Sequence, residues 1–92
     1  MIKSFKCKET EKIYYREGSK KFANIQKIAL RKLMMIKAAT DLNDLKVPPG
    51  NCLEKLKRDR NSQHSIRIND QWRICFEWKN KDAHNVEIVD YH

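Results

Sequence analysis

Glycine and proline are scarce in this 92-residue chain, with two of each, at Gly18, Gly50, Pro48 and Pro49. So few glycines exclude a Gly-rich phosphate loop, and with it nucleotide cofactors held in that way. Cysteine occurs three times, at Cys7, Cys52 and Cys75. An odd number at wide spacing fits neither a disulfide framework nor a C-x-x-C zinc pair, so free, structural thiols are expected. His64, His84 and His92 are too scattered for a zinc site, and no metal is expected. No apolar run is long enough to span a bilayer, and Lys6, Lys8 and Glu9 interrupt the N-terminus before a secretory apolar region can form. A cytoplasmic protein with no membrane contact is expected.

Acidic residues are also outnumbered, 12 against 20 Lys and Arg, for a formal net charge of +8. The excess lies in residues 1–40, where only Glu9, Glu11 and Glu17 oppose the basic side chains. Such a field attracts polyanions and raises their encounter rate, which makes nucleic acid the first class of partner to consider. A charged surface serving solubility alone is the plain alternative. The length suits one domain over residues 1–92 with one thin core, and a thin core gains from a tight-binding partner.

Ile2 to Phe5 reads as a short strand, and Glu9 to Tyr15 as a short helix stopped near Gly18. Ser19 is a suitable N-cap for a longer helix reaching Thr40. In that helix Phe22, Ile25, Ala29, Leu33 and Ile36 recur at three- and four-residue steps, and Lys20, Lys27, Arg31 and Lys37 fall mostly elsewhere. Asp41 to Asp44 ends it, and Val47-Pro48-Pro49-Gly50-Asn51 continues neither a helix nor a central strand. The rest is strand-like: Cys52 to Lys57, His64 to Ile68, Trp72 to Trp78 and Asn85 to Tyr91, joined by short polar turns into an antiparallel sheet.

Trp72, Ile74, Phe76 and Trp78 alternate with Arg73, Cys75 and Glu77, which gives that strand one apolar, core-facing side. With Asn69-Asp70-Gln71 as a hairpin loop, Ile68 faces Trp72, Ile66 faces Ile74, and Arg67 falls opposite Arg73 on the other side. Two like charges opposed across strands are unfavourable and invite an anion between them. Lys55, Lys57, Arg58 and Arg60 are expected to converge on the same non-core face, forming a phosphate seat. The alternative is that Glu54, Asp59 and Glu77 pair with these cations as surface ion pairs of little weight.

Asp90 and His92 are two apart on the last strand and project to one face, with Tyr91 on the other. Metal-free RNA cleavage needs a base for the 2′-hydroxyl proton, cations for the phosphorane and an acid for the departing 5′-oxygen. The chain contains residue types for all three. Taken by itself, a histidine at the chain end is more often a frayed terminus than a catalyst.

The ordered set Leu56-Lys57-Arg58-Asp59-Arg60, then Ser65 through Ile74, then Asp90-Tyr91-His92 resembles the HigB branch of the RelE superfamily. Met1 to Phe5 and Val47 to Asn51 extend the resemblance over nearly the whole chain. It implies an α+β, RelE-like microbial RNase fold, with an N-terminal strand and two helices packed on a C-terminal antiparallel sheet whose basic surface receives mRNA. It implies cleavage of mRNA in the ribosomal A site, with Arg67 and Arg73 against phosphates and Arg58, Arg60 and Lys55 in the RNA-binding set. Lys57, Asp90 and His92 would share proton transfer and charge stabilisation, with their individual roles open, while Tyr91 would position or stack. Glu54 stands where some relatives carry a histidine, three residues before the lysine, and is a secondary proton acceptor. The resemblance further implies a HigA-type antitoxin, through which alone operator DNA would be contacted. A ParE-like gyrase poison on the same scaffold and a non-catalytic nucleic-acid-binding module are the rival readings.

Overall fold

A computed structural model describes residues 1–56 and 63–90. Helix α1 spans Lys8–Tyr14 and α2 Gln26–Ala38, and two single-turn 3-10 segments, Leu42–Lys46 and Pro49–Asn51, follow. Four strands come next: β1 (Glu54–Lys55), β2 (Gln63–Arg67), β3 (Trp72–Lys79) and β4 (Asp82–Asp90). They form one antiparallel sheet in the order β1-β2-β3-β4. The α+β architecture expected from the sequence is therefore present. No helix among the described residues is long and apolar enough to cross a membrane.

The core forms where the period-two face of β3 meets the three- and four-step stripe of α2. Ala29, Leu33 and Ile36 from α2, with Ile13, Phe22 and Ile25, are buried against Ile66, Ile74, Phe76, Val86 and Ile88. Burying each large aliphatic side chain stabilises by about 1.5–3 kcal/mol. The ring of Trp72 closes one end of this layer edge-to-face on Phe22, with centroids 5.2 Å apart. Helix α1 is pinned by one buried hydroxyl: Thr10 Oγ1 accepts the Ile88 N–H at 3.0 Å.

Four elements depart from the sequence reading, each for a local reason. Of the strand expected from Cys52 to Lys57, the described part forms only Glu54–Lys55, because Cys52 closes the preceding 3-10 turn in the left-handed region. Ser19 does not cap α2. Its hydroxyl accepts the Phe22 N–H at 3.3 Å and donates to Glu9 Oε1 at 2.7 Å, while Gln26 Oε1 accepts the Ser19 N–H at 2.8 Å. These side chains satisfy a turn between Ser19 and Ile25, and the regular helix starts only at Gln26. Ile2 to Phe5 is not a continuous strand but two isolated parallel bridges, Ile2 to Ala83 and Phe5 to Val86. Between them β4 bulges at Asn85, whose φ is 53° and whose N–H goes to Ser4 Oγ rather than to a ladder partner. Finally, β4 begins at Asp82 instead of Asn85, because Asn80 and Lys81, at φ 51° and 67°, form a two-residue turn of the primed hairpin kind.

Three carboxylates, Asp44 exposed and Glu9 and Glu77 half-buried, are held below their ordinary range by hydrogen bonds made in the folded chain. Asp44 accepts the Thr40 and Asp41 N–H groups, Glu9 is bonded by Ser19 and Lys12, and Glu77 by Asn85 and Lys79. A depressed folded-state pKa contributes stability that is present above the unfolded value and lost as the pH falls through the folded one. The thermal midpoint should therefore drop between roughly pH 5 and pH 3. Asp44→Asn should flatten part of that drop, as read by melting curves across this range.

Candidate nucleic-acid interface

The site is best built from one turn. Asn51 is fully buried, and its side-chain Nδ2 donates to the Leu45 carbonyl at 3.2 Å and the Val47 carbonyl at 3.4 Å. Those two acceptors fix the amide orientation, so Oδ1 points the other way, where it accepts Lys32 Nζ from α2. Cys52 follows in the left-handed region, at φ 46° and ψ 55°, and its carbonyl accepts Arg73 Nη2 from β3. Two consecutive residues thus gather a cation from a helix and a cation from the sheet.

Arg73 is only 7% exposed. Besides Cys52, it donates from Nε to Ser65 Oγ at 2.9 Å and from Nη2 to the Ser65 carbonyl at 3.4 Å. Arg67 and Arg73 are register partners, as the hairpin spacing predicts, and Ile66 and Ile74 likewise. The expected anion between the two arginines is not required by the protein, however. Arg67 pairs with Asp70 in the hairpin loop, and Arg73 donates to Ser65 and Cys52, so each guanidinium has its own partners.

The non-core side of the sheet also differs from an open basic face. Ser65 and Cys75 are buried with Arg73, because the segment carrying Cys52 lies across this side of β2 and β3. The register puts Lys55 beside His64, which pairs with Phe76, and it puts Glu54 beside Ser65. Lys55 therefore lies on the opposite side of the sheet from Arg67 and Arg73, and the expected convergence on one face does not hold for it. Strand alternation carries the difference: Lys55 is one residue out of phase with Glu54.

Asp90 shares a register position with Trp72, and Val89 with Arg73. The Asp90 carboxylate is thus on the Trp72 side, exposed at the end of the sheet, and its Oδ2 accepts Gln71 Nε2 at 3.2 Å. One loop joins the pieces: Asp70 holds Arg67, Gln71 holds Asp90, and Asn69 Oδ1 accepts the Gln71 and Trp72 N–H groups at 2.9 and 2.8 Å. The loop thus holds Arg67 and Asp90 on opposite sides of the sheet, and Arg73 lies on the Arg67 side, so the expected meeting of Asp90 with the two arginines on one face does not hold. Lys57, Arg58, Arg60, Tyr91 and His92, together with Asp59, lie outside the described residues.

Lys32, Asn51 and Gln71 carry the site without having stood out in the sequence. Lys32 was legible in one respect: it falls three residues after Ala29 and four before Ile36, on the flank of the buried stripe, unlike Lys27 or Lys37. Burial, then the positive charges of Arg31 and Arg67, hold its ammonium below the ordinary lysine range, with Cys52 acting the other way. Among the described residues no group of three or more His, Cys, Asp or Glu side chains comes together to hold a metal ion.

A family model described as the RelE-like toxin of type II toxin-antitoxin system HigB matches residues 3–92. The chain belongs to the HigB family of RelE-like toxins. Toxin HigB-1 of Vibrio cholerae is 34% identical over 90 residues, covering 96% of this chain and 95% of its own length. Endoribonuclease HigB of Proteus vulgaris is 34% identical over 94 residues, covering all of both chains. An uncharacterized protein of Haemophilus influenzae is 40% identical over 78 residues, or 82% of this chain and 77% of its own. In fold, the HigB-family chain resembles a chain of the YoeB-YefM complex from Staphylococcus aureus, with a TM-score of 0.58 at 21% identity over 100% of this chain and 98% of that one. A HigB-family toxin is one half of a two-protein system, so an antitoxin is its partner.

Proposed function

We propose that this HigB-family toxin is a cytoplasmic endoribonuclease that cuts mRNA on the translating ribosome and is neutralised by a HigA-type antitoxin. The observation that carries the reading is the full-length match to a relative named as an endoribonuclease. It is supported by a buried, rigidly held arginine beside a turn that also gathers Lys32.

Metal-independent cleavage would run by attack of the 2′-hydroxyl on the adjacent phosphorus, with loss of the 5′-oxygen. A base removes the hydroxyl proton, fixed cations stabilise the added negative charge of the phosphorane, and an acid protonates the leaving oxygen. Arg73 suits the second task, since its hydrogen bonds hold the guanidinium plane in place before substrate arrives and no reorganisation is needed. Arg67 and the basic residues Arg58 and Arg60 contribute phosphate attraction, while Lys55, on the opposite side of the sheet from Arg67, adds only to the long-range positive field. Lys57, Asp90 and His92 divide the proton transfers, and Tyr91 stacks on or orients a base. Gln71, by holding the Asp90 carboxylate, limits the directions in which it can accept a proton. Operator DNA is contacted only through the antitoxin complex.

The test is to map mRNA 5′ ends after induction, in cells and in a purified translation reaction, comparing translated with untranslated messages. New ends confined to translated messages are the expected result. Growth arrest with no new ends would sink the nuclease reading and favour a gyrase poison on the same scaffold.

A further inference from the structure

We propose that Lys32 is a phosphate-positioning residue, which with Arg67 and Arg73 forms around the Asn51–Cys52 turn a seat for one phosphate of a bound RNA strand. The assignment rests on the nuclease reading above and adds to the same site a group from α2, an element outside the sheet.

The geometry comes from three elements meeting at one turn. Asn51 Oδ1 takes the Lys32 ammonium, the Cys52 carbonyl takes the Arg73 guanidinium, and Arg67 is the register partner of Arg73. Asn51 cannot turn its amide away, because Nδ2 is committed to the Leu45 and Val47 carbonyls. Lys32 is consequently held at one place by a neutral oxygen, using one of three ammonium donors. If its task were only to satisfy Asn51, an uncharged donor such as glutamine would serve without placing a half-buried positive charge next to Arg31 and Arg67. A charge kept in an already positive neighbourhood costs stability in the free protein, and an entering phosphate removes that cost. The monoanionic phosphodiester of the RNA backbone is the ligand such a set recognises, whatever the base attached.

The experiment uses the full chain and a single-stranded 2′-O-methyl RNA oligonucleotide, which lacks the nucleophile and is not cut. Lys32→Gln should weaken binding about tenfold and lower the slope of log affinity against log salt by about 0.7, one phosphate contact on a single strand. Lys32→Arg should restore most of the slope, and Lys46→Gln, on the exposed 3-10 turn, should leave it unchanged. On ribosome-programmed message, Lys32→Gln should raise KM more than it lowers kcat. Melting curves establish that each variant is folded. Independently of any variant, acetylation of the wild-type protein with and without the oligonucleotide should show Lys32 protected and Lys46 not. An unchanged salt slope in folded Lys32→Gln, or equal acetylation of Lys32 with and without RNA, overturns the seat. Cleavage by the wild-type protein in the same preparation separates the two claims. Cutting with an unprotected Lys32 removes the seat alone, and protection of Lys32 without any cutting removes the nuclease reading alone.

Discussion

Arg73→Ala is expected to abolish growth arrest and message cleavage, and also to lower the unfolding free energy by about 2–3 kcal/mol. Both effects follow from the same burial. The guanidinium donates to Ser65 Oγ, the Ser65 carbonyl and the Cys52 carbonyl, and alanine leaves those acceptors without these bonds, the Ser65 pair at a buried position. Bonds to a charged donor are the stronger kind, so their loss should appear as a lower thermal midpoint as well as lost activity. Arg73→Lys separates the roles. It keeps the charge but lacks the planar fork that reaches Ser65 and Cys52 together, so cleavage should stay low even where stability partly returns. Wild-type cleavage by folded Arg73→Lys would show that charge alone suffices there, and the fixed-plane argument for phosphorane stabilisation would fall.

The pairing of Arg67 with Arg73 was legible because two local rules agree. The alternation Trp72, Ile74, Phe76, Trp78 fixes which side faces the core, and a three-residue loop fixes the register. What the alternation could not reveal is that the other side of the strand is covered too. A period-two pattern distinguishes apolar from polar, and Arg73, Ser65 and Gln63 read as polar although all are buried. Arg73 is covered by the segment at Cys52, more than twenty residues away in the chain, through a left-handed backbone conformation at a cysteine that no local preference announces. The start of α2 was missed for a related reason. Ser19 and Gln26 bond to the backbone of an intervening turn, a competition that the regular spacing of Phe22, Ile25 and Ala29 conceals because the turn preserves their burial. Asn80-Lys81 escaped notice because lysine is an unusual occupant of a positive-φ turn position. As candidates for proton transfer, Asp90 and His92 were suggested by strand alternation and Lys57 by family resemblance, since residue type alone does not tell a catalytic terminal histidine from a frayed one.

The largest effect of all is expected from the chain end. His92→Ala should reduce cleavage by about a hundred- to ten-thousand-fold, the usual weight of a positioned acid or base, and Lys57→Ala should fall in the same range. Ending the chain at Asp90 should have the consequence of His92→Ala with almost no change in melting. The apolar side chains that β4 contributes to the core, Ala83, Val86 and Ile88, all precede that point, and its ladder with β3 is anchored along its length. If the truncated protein unfolds, Tyr91 and His92 are structural, and the loss of activity says nothing about proton transfer. The pattern across variants then discriminates among activities more sharply than any one of them. A nuclease loses growth arrest with His92→Ala, Lys57→Ala and Arg73→Ala alike. A module that only binds nucleic acid loses it with Arg73→Ala but keeps it with His92→Ala and Lys57→Ala, because binding needs the charge of Arg73 and no proton acceptor. Cleavage rates for the three variants, set beside oligonucleotide affinities measured on the same folded preparations, decide between them: catalysis lost at unchanged affinity assigns His92 and Lys57 to the chemical step.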